Sequence, residues 1–222
     1  MTIWFATGNT HKKAELAAIL RTAILRDHEI RIPADAGIDF DPEETGSTFL
    51  ENALIKARAL YRLTAEISQP DKGLSNPVIA DDSGLCVDAL GGRPGIYSAR
   101  YQGIGRYGSE GGNLAGGKKP DAAERNALLL DELGDKTNRK ARFVCAMVLL
   151  FSEDRFFVAQ ETLEGEIISR AEGKRGSGGF GYDPILWLPE FSRTVAELSE
   201  EEKNRISHRG KAAMALAKLL GG

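Results

Sequence analysis

Residues 76–100 read NPVIADDSGLCVDALGGRPGIYSAR. The apolar run Val78-Ile79-Ala80 has the composition of a buried strand. It leads straight into Asp81 and Asp82, then into Ser83-Gly84, a pair that suggests a turn. A buried charge is costly unless it is paired or holds a metal. Two carboxylates at the end of a core strand therefore predict compensating positive charge close by. One aspartate is expected to order the turn through Ser83-Gly84, leaving the other for chemistry.

Working outward, residues 2–7 (TIWFAT) read as a strand, followed by a helix from about Thr10 to Arg26 with Leu16, Ile19, Leu20 and Ala23 on one face. Residues 29–33 form a second short strand. The polar loop 41–48 ends at Thr48, which with Glu51 has the form of a capping box for a helix over 49–67 that buries Leu50, Ala53, Leu54, Ala57 and Leu60. Residues 68–77 are a loop and 103–119 a glycine-rich excursion. A helix is expected over 121–134, then two long strands, 141–151 and 155–168, joined as a hairpin through Ser152-Glu153-Asp154. The C-terminus is helical, with Ser199 and Glu202 as another capping box. These elements predict an α/β fold with a mixed sheet rather than a strictly alternating parallel one.

The 222 residues carry a net charge of −3 and are 42% hydrophobic, which suits a chain with a real core. Nothing in that charge favours general nucleic-acid binding, which needs Lys/Arg clusters to neutralise phosphates. No run approaches the ~18 apolar residues of a membrane span. No signal-peptide pattern is visible, and Cys86 and Cys145 read as core thiols. The expectation is a cytoplasmic protein that binds neither membrane nor nucleic acid.

Two nucleotide-binding lookalikes fail on context. Gly176, Gly178 and Gly181 match G-x-G-x-x-G, but no strand precedes them and Tyr182-Asp183-Pro184 does not open a helix. Residues 112–118 match G-x-x-x-x-G-K, but Lys119 stands where a magnesium-binding hydroxyl is needed.

More informative is ATGNTHKKAEL, residues 6–16, where a strand turns at Gly8 into a helix whose first turn holds His11, Lys12 and Lys13. Cations there oppose the helix dipole, and exposed N–H groups at a helix start bind phosphate. Together they suggest an anionic ligand. Thr48, Asn52 and Lys56 recur every four residues on the next helix as a polar stripe. Glu43, Glu44, Asp81 and Asp82 offer oxygen ligands, and the three histidines are not spaced to chelate. A metal here is therefore expected to be magnesium, with manganese also suitable. Phe180 could stack on a base, and Lys203, His208 and Arg209 could donate to a keto oxygen or an anion.

Taken in order, ATGNTHK, EETGSTFLENALIKA, ADDSGLCVDALGGRPGIYSARY, GGFGYDPI and AELSEEEKNRISHRGKA resemble the inosine/xanthosine triphosphate pyrophosphatases, which remove deaminated purine nucleotides. The likeness covers nearly the whole chain, although the glycine-rich segment after SARY is longer than the family's. It implies an elongated mixed sheet in a single domain, residues 1–222, with two lobes, a central nucleotide cleft and a homodimer. It further implies that Thr7, Gly8, Asn9, Thr10, His11 and Lys12, with Lys56, hold the triphosphate. Asp82 is then the catalytic group and a metal ligand, and Glu44 or Glu43 shares the metal. Ser83 contacts substrate. Phe180, Gly181, Tyr182 and Asp183 line the base and sugar pocket, which Lys203, His208 and Arg209 complete. The rival readings are a Maf-type enzyme acting on other modified nucleotides and a non-catalytic nucleotide sensor.

Overall fold

The computed structural model describes residues 2–23, 29–67, 76–102, 120–169, 173 and 175–220. The glycine-rich segment 103–119, with the G-x-x-x-x-G-K lookalike inside it, lies outside the described residues. So do most of the 68–77 loop and the first helix beyond Ala23.

Seven strands form one sheet: β1 (Thr2–Phe5), β2 (Glu29–Arg31), β3 (Val78–Val87), β4 (Lys140–Ser152), β5 (Arg155–Ile167), β6 (Leu186–Leu188) and β7 (Arg193–Thr194), in the order β2-β1-β3-β4-β5-β6-β7. β1 runs parallel to β2 and to β3, with Trp4 opposite Val78 and Phe5 opposite Ile79. β6 is antiparallel to both β5 and β7. The sheet is therefore mixed, as expected. Among the described residues five α-helices accompany it: α1 (Thr10–Ala23), α2 (Phe49–Ile67), α3 (Ala122–Leu133), α4 (Glu200–Ile206) and α5 (His208–Leu220).

The chain divides into two compact units. The first comprises Met1–Ser83, Val144–Thr162 and Asn204–Gly222, the second Gly84–Phe143 and Leu163–Lys203. In the first unit the strand pleat sorts the core in two, because successive side chains point to opposite faces. Ile3 and Phe5 of β1, Ile79 of β3, and Cys145, Met147 and Leu149 of β4 pack with Leu16, Ile19 and Leu20 of α1 and Leu216 of α5. The residues between them, Trp4, Ala6, Val78, Ala80, Val148 and Leu150, pack with Ala53, Ala57 and Leu60 of α2. Each large side chain so buried contributes about 1.5–3 kcal/mol.

Two expectations are corrected. No turn forms at Ser83-Gly84: β3 runs through both aspartates and on to Val87. The sheet hydrogen bonds and the burial of Leu85 and Val87 favour continuation, and the charges are met where they lie instead of ending the strand. The capping box of α2 is half formed. Thr48 Oγ1 accepts from the Glu51 N–H at 3.1 Å, but the Glu51 carboxylate reaches past Thr48 to the N–H and hydroxyl of Ser47 at 2.6 and 2.7 Å. At α4 both halves form, with Ser199 Oγ accepting from the Glu202 N–H and Glu202 accepting from the Ser199 N–H.

Candidate active site

Since β3 does not turn, the pleat sends Asp81 to the α1/α5 face and Asp82 to the α2 face. Asp81 is 1% exposed. Lys12 Nζ of α1 donates to both its oxygens, at 3.1 and 3.0 Å, and Arg209 of α5 donates through Nε and Nη2 at 3.3 and 3.1 Å. Burial alone would raise the Asp81 carboxyl, but the charges of Lys12, Arg209 and Lys56 overcome it and hold the group well below the ordinary carboxylate range.

Asp82 meets a different set. Lys56 Nζ donates to it at 3.2 Å and Asn52 Nδ2 at 3.3 Å. The same Lys56 ammonium donates to Glu44 at 2.7 Å, so one cation serves two carboxylates. Burial raises the Asp82 carboxyl; Lys56 opposes this, while the negative charges of Glu44 and Asp81 add to it, and the net direction is up. Burial likewise works against the Lys56 ammonium, but Asp82, Asp81 and Glu44 together raise it. The polar stripe on α2 thus delivers Asn52 and Lys56, one turn apart, to a single carboxylate.

Of the two glutamates left open by the sequence, Glu44 faces Lys56, whereas Glu43 is exposed. Glu44 and Asp82 offer only oxygen donors and carry more negative charge than Lys56 balances. That suits magnesium, which takes one or two carboxylates and fills the rest of its shell with water and substrate phosphate. Among the described residues no group of three His, Cys, Asp or Glu side chains is placed to hold a metal by itself.

Thr7, Gly8, Asn9 and Thr10 lead from β1 into α1. Asn9 caps the helix: its Oδ1 accepts from the Lys12 N–H at 3.2 Å, and its own N–H donates to Thr7 Oγ1 at 3.1 Å. The α1 first turn contains no acid, yet its cations do have carboxylate partners, Asp81 for Lys12 and Asp35 for Lys13. The breach of the helix-dipole rule is therefore answered inside the protein. Only the backbone of His11 is described.

Arg209, expected with the donors to the base, is 1% exposed and has its guanidinium on Asp81, on Ser83 Oγ at 3.0 Å and on Glu15 at 2.6 Å. It shares Asp81 with Lys12, a residue expected at the phosphates. His208 opens α5 beside it and is buried. The bend from α4 into α5 needs Gly210, where a Cβ would lie 1.8 Å from the Asn204 carbonyl oxygen, and Ser207 Oγ accepts the Gly210 N–H at 3.0 Å.

In the second unit, residues 180–183 make a tied turn. Asp183 Oδ2 accepts from the Phe180 N–H at 2.7 Å and from Lys203 Nζ at 2.9 Å. The two aromatics divide: Tyr182 is 3% exposed and donates its hydroxyl to the Ser98 carbonyl at 3.0 Å, whereas Phe180 is 41% exposed, with Lys203 Nζ 4.5 Å from its ring centroid. Two glycines of the G-x-G-x-x-G lookalike have a packing reason: a Cβ would lie 2.5 Å from the Ala196 backbone at Gly176 and 3.0 Å from its carbonyl oxygen at Gly178.

Two partners in these contacts go beyond the sequence reading. Asn52 enters it only as part of a stripe, and Glu15 gives no signal, because its partner lies 194 residues away.

Comparison with known proteins gives these groups a context. The model of the Ham1 family matches residues 3–219. A Treponema denticola protein named dITP/XTP pyrophosphatase is 47% identical over 222 residues, covering all of both chains. A Geobacillus kaustophilus protein of the same name is 46% identical over 217 residues, 96% of this chain and 91% of the other. Among solved structures, the Staphylococcus aureus Ham1 protein superposes with a TM-score of 0.76 at 38% identity, covering 99% of this chain and 98% of that one. A HAM1 protein from Coxiella burnetii gives 0.77 at 37% identity with the same coverage.

Proposed function

Because this chain belongs to the Ham1 family, we propose that it is a nucleoside-triphosphate pyrophosphatase that hydrolyses the deaminated purine nucleotides ITP, dITP and XTP to the monophosphate and pyrophosphate, clearing them from the nucleotide pool. The observation that carries the reading is Asp82, a carboxylate raised by burial and by a neighbouring Glu44, and held by Asn52 and Lys56. Perturbed carboxyls of this kind suit general-base work.

In the reaction, Asp82 accepts a proton from water as the water oxygen bonds to the α-phosphorus. The α–β anhydride bond breaks and pyrophosphate leaves with the bonding pair. The ammonium groups of Lys56 and Lys12 offset charge on the phosphates, and the N-terminal turn of α1, with Thr7, Gly8, Asn9, Thr10 and His11, offers N–H and side-chain donors to the same groups. Asp81 holds Lys12 and Arg209 in place, and Ser83 stays beside them. Glu44 and Asp82 would hold magnesium, or manganese, which when bound polarises phosphoryl oxygens and makes water more acidic.

Phe180 is the exposed ring suited to stack on a purine, held in its turn by Asp183 and Lys203. His208 and Arg209 act as donors that favour a 6-keto over a 6-amino group. For Arg209 this requires exchanging one of its present bonds. A site built around a specific hydrogen bond discriminates by ~10⁴–10⁵, so the expected order is ITP and XTP far above ATP, with GTP between. The chain is further proposed to work as a cytoplasmic homodimer, binding neither nucleic acid nor membrane; among the described residues no helix is long and apolar enough to cross one. Sedimentation velocity reads the dimer directly.

Steady-state kinetics with ITP, XTP, GTP and ATP on one preparation, with product analysis, tests the function. Inosine monophosphate and pyrophosphate are expected from ITP. Equal kcat/KM for ATP and ITP contradicts the keto reading. Bound but unhydrolysed ITP contradicts the enzyme reading altogether.

A further inference from the structure

α3 buries Leu129, Leu130 and Leu133 together with Asn126. Asn126 is 2% exposed. Its Nδ2 donates to the Gly181 carbonyl at 3.1 Å, while its Oδ1 is buried with no hydrogen-bond partner among the described residues. A leucine would fill similar space without stranding an acceptor, and a stranded buried acceptor lowers stability. The sequence keeps an amide where packing alone would not select one, and a local rule broken in this way points to a use. What the amide grips is the Gly181 carbonyl, at the tip of the turn that carries Phe180.

The other ties hold the ends of this turn. Asp183 accepts the Phe180 N–H through its side chain and donates its own N–H to the Phe180 carbonyl at 3.3 Å, and Tyr182 anchors its hydroxyl on Ser98. None of these holds the Gly181 carbonyl, which lies at the tip of the turn, where Gly181 has φ 64°, a conformation glycine adopts without steric cost. Asn126 ties this tip to α3, and a tip released from α3 lets the turn shift and takes Phe180 with it.

We infer that Asn126 is a positioning residue for Phe180, fixing the tip of the 180–183 turn against α3 and thereby the placement of the ring that meets the base. The inference rests on the reading of Phe180 as a base platform. Asn126 itself touches neither base nor phosphate. Its effect is confined to ligands that carry a base, and it is absent for the triphosphate group alone.

The test measures KM for ITP and the inhibition constant for inorganic triphosphate, which has no base, in the wild type, Asn126→Leu, Asn126→Ala and Phe180→Ala. Both Asn126 variants should raise the ratio of ITP KM to triphosphate inhibition constant roughly fivefold, the worth of one net hydrogen bond, with kcat unchanged. Asn126→Leu, which removes the stranded oxygen and refills its space, should not lower Tm. A raised ratio in Phe180→Ala with an unchanged ratio in both Asn126 variants overturns the inference and leaves the base platform standing. An unchanged ratio in Phe180→Ala removes the platform and the inference with it. Parallel loss of kcat, triphosphate binding and Tm in both Asn126 variants would reduce Asn126 to a packing residue and likewise overturns the inference.

Discussion

On one face of β3, Asp81 lies between Lys12 and Arg209, and its carboxyl is held low. On the other face, one residue on, Asp82 shares the Lys56 ammonium with Glu44, and its carboxyl is raised. The residue type and the burial are nearly the same; the balance of charge differs. A carboxylate with surplus cations is fixed and unreactive, while one that competes for a cation stays ready to take a proton or a metal. Adjacent positions on one strand are thus held in opposite electrostatic states because the pleat presents them to different helices, and the proposed function gives the first a structural part and the second a chemical one.

The largest expected effect breaks the chemical side. Asp82→Asn should lower kcat with ITP by ~10²–10⁴, the usual worth of a general base, with little change in Tm, because Lys56 keeps Glu44. Near wild-type turnover would move the chemistry elsewhere. Breaking the structural side gives the opposite profile. Asp81→Asn removes the partner of a buried guanidinium and should cost about 3 kcal/mol, a fall of very roughly 10 °C in Tm for a chain of this size, with a smaller loss of kcat in the protein that remains folded. A lowered carboxyl contributes stability that is complete above its ordinary value and is lost as pH falls towards its folded one. Acid unfolding of Asp81→Asn should therefore be less steep than that of the wild type. Equal losses of activity and stability in the two variants would erase the distinction between the faces.

Smaller effects sharpen it. Lys12→Ala should weaken ITP binding about tenfold, or ~1.4 kcal/mol, well short of the ~4 kcal/mol Coulomb figure for an ion pair at 4 Å and effective dielectric 20, since in the free protein Lys12 already has Asp81. Inosine monophosphate should lose less. An equal loss for the two nucleotides would place Lys12 away from the β and γ groups. The smallest change is one of pH. In the metal-free protein the Asp82 carboxyl should titrate above the ordinary aspartate value, as followed by carboxylate ¹³C NMR. Glu44→Gln removes a repelling charge, lets Asp82 ionise more easily and should move that titration to lower pH. A titration that stays put, or moves up, would mean that Glu44 does not act on Asp82.

Much of this was legible because chemistry and periodicity coincide in the sequence. Val78-Ile79-Ala80 marked a core strand, the two aspartates demanded cations, and the four-residue spacing of Asn52 and Lys56 put both on one side of a helix. The α/β mixed sheet followed from the same patterns. What could not be read depended on closure in space. The Ser83-Gly84 dipeptide has turn chemistry, but the sheet overrode it. Arg209 reads from sequence as a donor at the base end, and only the fold brings Glu15 and Asp81 to it. The choice between Glu43 and Glu44 turned on which side chain meets Lys56, a matter of one residue of loop register.

The central claim is that the Asp82 face activates water for attack at the α-phosphorus. Hydrolysis of ITP in ¹⁸O-labelled water, read by the isotope shift in ³¹P NMR, tests it most directly. The account predicts one labelled oxygen in the phosphate of inosine monophosphate and none in pyrophosphate. Label in pyrophosphate, or release of inosine diphosphate with labelled orthophosphate, would contradict it.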